Sequence, residues 1–348
     1  MPSPSPETLI SGLAAPRRLR RPLQFALFIT SLTWFVLSEA LAVRAARGLT
    51  NRFDIDIASP LISALFLIFL LVVGFGLLHR IAPTGTLTLR TVLGLPRRSS
   101  SRREWALGAA IGWGVAIAAV LPMALSRSLH VRFWTESRAF HLLLWNLATL
   151  VFAALATEIA LRGYPFRRLI DATGPAWATI LMALLFGSIH GFSQGATGIS
   201  ILVTMIVSLV LSLAWLRTHG LWLPWGLHAA WTVTLALLFG LPVRGALEIS
   251  SVIQTRAIGP AWLTGGELGP EGAIFTIIAL IAGIIVLVRT TRDYAWDYTR
   301  PELIPAGYEV NPPPPAAHTA MEQEVAAKPP ALVQILPTTP QTRSVDDP

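Results

Sequence analysis

Four ionisable residues lie late in long apolar runs or at their ends: Glu158, Arg162, His190 and His228. At mid-membrane each such group costs about 2.5–3.5 kcal/mol on insertion scales, so its presence needs a reason. Glu158 and Arg162 are four apart on one helix, in Ala156-Thr-Glu-Ile-Ala-Leu-Arg-Gly163. That spacing fits an ion pair at a cytoplasmic helix end, with Arg162 snorkelling to the interface. His190 closes Phe186-Gly-Ser-Ile-His190, and His228 sits in Gly226-Leu-His-Ala-Ala-Trp-Thr232. A lone helical histidine is ordinarily a hydrogen-bonded structural residue. Here, however, three such features fall on three separate helices of a chain with seven histidines. A carboxylate with two neutral imidazoles in a low-dielectric cleft can activate and polarise water.

The other charged positions carry less. Glu39 falls late in the first apolar run, where it reaches the outer interface. His79, His130 and His219 fall in loops or at run edges, His141 begins a run and His318 lies in the tail. There is no His-Glu-x-x-His, no Gly-x-Ser-x-Gly and no phosphate-cradling glycine loop. The chain has no cysteine, which excludes disulfides, thiol nucleophiles and cysteine-based metal sites.

The elements that position these residues are membrane helices. Of 348 residues 53% are apolar and only 13% charged, too few charges to solvate a water-soluble surface of that size. Mean hydropathy is +0.60. Eight apolar runs are long enough to be spans: 23–43, 58–78, 105–125, 139–161, 174–190, 196–216, 221–240 and 272–288. The expected fold is all-α, a polytopic transmembrane bundle of about eight spans. No internal repeat or symmetric pair of broken helices marks a transporter. Residues 1–22 read as a cytoplasmic arm with no cleaved signal, leaving the first span as an anchor. Residues 23–138 read as N-terminal transmembrane helices, 139–243 as the core, and 244–292 as the last loop and span. The stretch 293–348, with Asn311-Pro-Pro-Pro-Pro315, reads as a disordered Pro-rich cytoplasmic tail.

The net charge of +8 comes from arginines clustered between the runs, a distribution that speaks of topology and excludes a nucleic-acid partner. With the N-terminus inside, inner segments hold 17 Lys or Arg and outer loops 8, which predicts both termini in the cytoplasm. Trp105, Trp134, Trp222, Trp225 and Trp262 fall near span ends, as an interfacial belt or as packing between helices. The arginine-rich coding hints at a GC-rich genome, and the expected location is a bacterial plasma membrane.

The order of the polar groups resembles the CAAX-protease and bacteriocin-processing (CPBP, Abi-type) family of intramembrane endopeptidases. Members show Glu-Glu-x-x-x-Arg, Phe-x-x-x-His and His-x-x-x-Asn on successive helices. Here these read Thr157-Glu158-Ile-Ala-Leu-Arg162, Phe186-x-x-x-His190 and His228-Ala-Ala-Trp-Thr232. The resemblance covers about 140–243. It implies an endopeptidase similar to type II CAAX prenyl proteases, acting on a peptide or protein substrate that is prenylated or carries a leader. Glu158, His190 and His228 would hold the attacking water, and Thr232 and a histidine would stabilise the oxyanion. The same three residues form a candidate zinc set with an open fourth position. Thr157 stands where the family has its water-activating glutamate, and Thr232 where it has asparagine. These replacements leave a second expectation open, a non-catalytic family member acting in binding or bacteriocin immunity.

The run boundaries set a geometric condition. His190 falls about 24 Å along its helix from Gly174, whereas Glu158 and His228 fall one or two turns from the ends of theirs. Convergence requires that the fifth helix begin outside the membrane or tilt, or that Glu158 sit deeper than its run implies.

Overall fold

The computed structural model describes residues 19–82, 88–192, 195–243, 252–292 and 294. The N-terminal arm and the tail beyond 292 thus lie almost wholly outside the described residues. The chain forms helices α1 (Arg21–Phe53), α2 (Ser59–Ile81), α3 (Leu89–Val92), α4 (Ser101–Leu125), α5 (Ser137–Arg162) and α6 (Tyr164–Thr173). There follow α7 (Pro175–Gly191), α8 (Gly198–Thr218), α9 (Trp222–Val233), α10 (Ala261–Thr264) and α11 (Ile274–Thr290). Strands β1 (Leu129–Phe133) and β2 (Ile253–Ala257) pair antiparallel, Leu129 opposite Ala257 and Phe133 opposite Ile253. This small ribbon is the one departure from the all-helical expectation among the described residues.

All eight apolar runs are helical, but eight spans are not confirmed. Six segments are long and apolar enough to cross a membrane: Arg21–Phe53, Asp56–Ile81, Ser101–Leu125, Ser137–Thr173, Gly198–Thr218 and Gly266–Thr290. The other two are shorter. Helix α7 has 17 residues, and α9 has 12 before a π-helical turn over Thr234–Leu238. Both are held by neighbours. Gly108 and Gly112 of α4 lie against the backbone of Leu223 and Leu227, and Gly226 lies against Trp105. A Cβ at any of the three would overlap partner backbone, so α4 and α9 meet as small-residue helices do in membranes.

Local chemistry explains the helix ends. Helices α1, α2, α6 and α7 carry proline in the first turn, where its missing N–H costs nothing. Thr197 and Ser200 form a reciprocal capping box at the start of α8. Arg98 Nη1 donates to the Thr218 carbonyl at 2.5 Å and Arg217 Nη2 to the Val288 carbonyl at 3.0 Å, placing cations on two negative helix ends. Arg168 reads in sequence as a loop charge, but it is buried. Its Nη1 donates to Gln24 Oε1 at 2.9 Å and its Nη2 to the Ala82 carbonyl at 2.5 Å. It thereby ties α6 to the start of α1 and the end of α2.

The deep position of Glu158 follows from the α5–α6–α7 turn. Helix α5 stops at Gly163, but the chain resumes as helix at Tyr164 and continues to Thr173 before reversing at Gly174, with φ +85°. Glu158 is fifteen residues before Thr173 and His190 is fifteen residues after Pro175. A direct contact agrees: the Arg162 guanidinium sits 5.9 Å from the centre of the Phe186 ring, one turn before His190.

Candidate active site

The site is built from α5, α7, α8 and α9. On α8, Ser200, Thr204, Ser208 and Ser212 recur every fourth residue and all are buried, so one face of an apolar helix is a polar stripe. Ser208 is ten residues from each end of α8, and there the stripe meets the ion pair. Arg162 Nη2 donates to the Ser208 Oγ at 3.1 Å and to the Ser208 carbonyl at 3.4 Å. Ser208 Oγ donates in turn to the Met182 carbonyl of α7 at 3.3 Å.

Arg162 Nη1 donates to both oxygens of Glu158, at 3.1 and 3.2 Å, and both side chains are fully buried. The pair therefore lies halfway along α8 and does not snorkel from a helix end. His228 Nδ1 lies 2.7 Å from Glu158 Oε1. A carboxylate paired with a guanidinium only accepts hydrogen bonds, so Nδ1 of His228 carries a proton and donates it to Glu158. Trp225 Nε1 donates to the Val151 carbonyl at 3.0 Å, a second tie between α9 and α5 that fixes the rotation of α9.

A cavity of about 290 Å³ opens beside this cluster, lined among others by Phe186, His190, Thr204, His228, Trp231 and Thr232. That volume is many times the ~30 Å³ share of one water. His190 is 9% exposed and its Nε2 is buried with no hydrogen-bond partner among the described residues. Such an atom calls for a ligand or water.

The expected residues thus divide into two sets. His190, His228 and Thr232 line the cavity, whereas Glu158, Arg162 and Thr157 are not among its lining residues; Glu158 and Arg162 stand behind His228. Thr157 Oγ1 donates to the Ala153 carbonyl at 3.0 Å. Thr232 Oγ1 donates to the His228 and Ala229 carbonyls, at 2.8 and 3.1 Å, so its proton is used within its own helix. Two residues of the site have no counterpart in the sequence motifs: Ser208, and Glu271, which lines the cavity from the segment before α11. The four-residue polar spacing of α8 is the signal for Ser208. For Glu271 the signal is the glycine-rich run Gly265-Gly-Glu-Leu-Gly-Pro-Glu-Gly272 ahead of an apolar helix.

Zinc does not fit the set Glu158, His190 and His228. Among the described residues no three His, Cys, Asp or Glu are grouped to hold a metal ion. The physical reason lies in Glu158, whose oxygens already face a guanidinium and an imidazole N–H.

Residues 139–234 match the family model for Rce1-like proteins, described as type II CAAX prenyl endopeptidase Rce1-like. Over that segment the chain is similar to CAAX protease-type proteins, and six of its helical segments are long and apolar enough to cross a membrane. The Rce1-like segment contains Glu158, Arg162, His190, His228 and Thr232, and it ends before Glu271. No curated protein and no solved structure matches the chain.

Proposed function

We propose that the chain is an active intramembrane endopeptidase that hydrolyses a peptide bond in the cavity between α7, α8 and α9. The observation that carries this reading is the 2.7 Å contact of His228 Nδ1 with Glu158, on a ring that lines the same cavity as His190. A water in the cavity gives one hydrogen bond to His228 Nε2. The Nε2–H tautomer of His190 supplies a donor for the oxyanion of a bound carbonyl. Glu158 acts through His228: it selects the tautomer, fixes the ring and balances positive charge on it. Arg162 holds Glu158 in place, and Thr232 packs the wall of the cavity. Thr232 lacks a free proton, so the oxyanion role falls to His190.

The substrate class follows from the Rce1-like segment and the membrane setting. It is a peptide or protein held at the bilayer, with a prenylated C-terminal Cys-aliphatic-aliphatic-X sequence as the first class to assay and leader-bearing peptides as the second. The test is cleavage of both peptides by the purified chain in lipid vesicles, beside His228→Ala. Cleavage by the wild type that His228→Ala reduces about 10²–10⁴-fold supports the reading. A folded wild type that binds these peptides without cleaving them favours the non-catalytic, binding or immunity role that Thr157 raises.

A further inference from the structure

Among the described residues, one charged side chain from outside the Rce1-like segment lines the cavity. Glu271 is 8% exposed and lines the same cavity as His190, His228 and Thr232. The local sequence explains how a carboxylate reaches that place. Gly265 has φ +74° and Gly269 has φ +60°, conformations that L side chains rarely adopt, and Gly265, Gly269 and Gly272 approach one another too closely for a Cβ on Gly265. The seven-residue 3₁₀ turn Gly266–Gly272 therefore folds back on itself and rests on α8. Thr276 Oγ1 and the Ala273 N–H both donate to the Pro270 carbonyl, at 2.6 and 3.0 Å, and so fix the residue next to Glu271 against the start of α11. Trp231 Nε1, one residue before Thr232 on α9, donates to Glu271 Oε1 at 3.5 Å.

The placement contrasts with that of Glu158. Glu158 faces a guanidinium and stands behind His228, whereas Glu271 accepts from the Trp231 indole and borders the cavity. Thr157, at the position where a second carboxylate could stand beside Glu158, bonds back to its own helix. The cavity nevertheless has a carboxylate, contributed by a different part of the chain.

We propose that Glu271 is the general base of this site; this rests on the endopeptidase reading above. The attacking water donates one hydrogen bond to His228 Nε2 and the other to a Glu271 oxygen. As the water oxygen bonds to the peptide carbonyl carbon, its proton passes to Glu271 and the carbonyl π pair moves onto oxygen, where His190 Nε2–H donates to it. The intermediate then collapses. The oxyanion pair re-forms the carbonyl, the C–N bond breaks, and the leaving nitrogen takes its proton from Glu271. The products are a carboxylic acid and an amine, and Glu271 returns to its starting state.

Glu271→Gln keeps an acceptor for Trp231 and removes the base, so it separates catalysis from support. In vesicles, with the prenylated peptide as probe, Glu271→Gln is expected to lower kcat/KM about 10²–10⁴-fold, with the thermal unfolding midpoint unchanged. Glu271→Asp is expected to recover part of the rate. Full activity in a folded Glu271→Gln overturns the assignment of Glu271 and leaves the endopeptidase reading standing. If Glu271→Gln and Glu271→Asp both unfold early and lose activity together, Glu271 is a support for Trp231 and the proposal fails. No cleavage by the wild type overturns the endopeptidase reading itself.

Discussion

Glu158 and Glu271 are both buried carboxylates within reach of α9, and their surroundings divide the labour between them. Glu158 lies at the middle of the bundle, with both oxygens on Arg162 and one also on His228. Glu271 lies at the wall of the cavity, its Oε1 on the indole of Trp231. A carboxylate held by a guanidinium organises its neighbours, because moving it would leave a buried charge without compensation. A carboxylate at a cavity wall can exchange a proton with what the cavity holds. The difference teaches that depth alone does not mark a catalytic group in a membrane: its electrostatic partner and its access to the cavity do.

That division can be broken most forcefully at Arg162. Arg162→Ala strips Glu158 of its guanidinium in a fully buried site, and a loss of about 3–5 kcal/mol is expected. The measurement is thermal or denaturant unfolding in lipid, and activity should fall with the folded fraction. If Arg162→Ala is as stable as the wild type, Glu158 does not have the organising role. Next in size is His190→Ala, expected to cost about 10²–10³ in kcat while the unfolding midpoint stays put. A midpoint that drops in step with kcat would move His190 to the supporting side of the comparison.

A smaller effect is expected at Ser208. Ser208→Ala removes the hydroxyl that accepts from Arg162 at 3.1 Å but leaves the carbonyl at 3.4 Å. The loss should be about 1.5–3 kcal/mol, as for a hydrogen bond to a charged group, and unfolding beside the Arg162→Ala protein gives the scale. The smallest change is expected from Thr157→Glu. Position 157 does not line the cavity, so the added carboxylate should leave the rate of the wild type within a few-fold. A gain above tenfold would show that the base is missing from the natural cavity and that Glu271 does not supply it.

Much of this was legible in the sequence, and the rest was hidden for physical reasons. The eight apolar runs all became helices, because hydropathy and length report directly on what a bilayer admits. Their role as spans was less legible, since α7 and α9 are shortened by packing that runs cannot reveal. The contact of α9 with α4 depends on Gly108-x-x-x-Gly112 meeting Gly226, a pairing between distant segments. Glu158, Arg162, His190 and His228 stood out by charge in apolar surroundings, and Glu158, Arg162 and His228 do meet directly. The depth of Glu158 was obscured because Gly163 resembles the end of a span, whereas the helix resumes in α6. Glu271 was signalled only by the glycine-rich run around it. Next to an apolar run it reads as an ordinary loop acid, and only the left-handed glycines before it turn it inward.

The central claim is that water in this cavity cleaves a peptide bond with His228 and Glu271 as its immediate partners. It is tested most directly by cleaving the prenylated peptide in H₂¹⁸O, with wild type, His228→Ala and Glu271→Gln side by side in vesicles and mass spectrometry of the new C-terminus. The account predicts one ¹⁸O in the product carboxyl for the wild type and near-complete loss of labelled product in both variants, each still folded. Labelled product formed at wild-type rate by either folded variant, or none from the wild type, would contradict it.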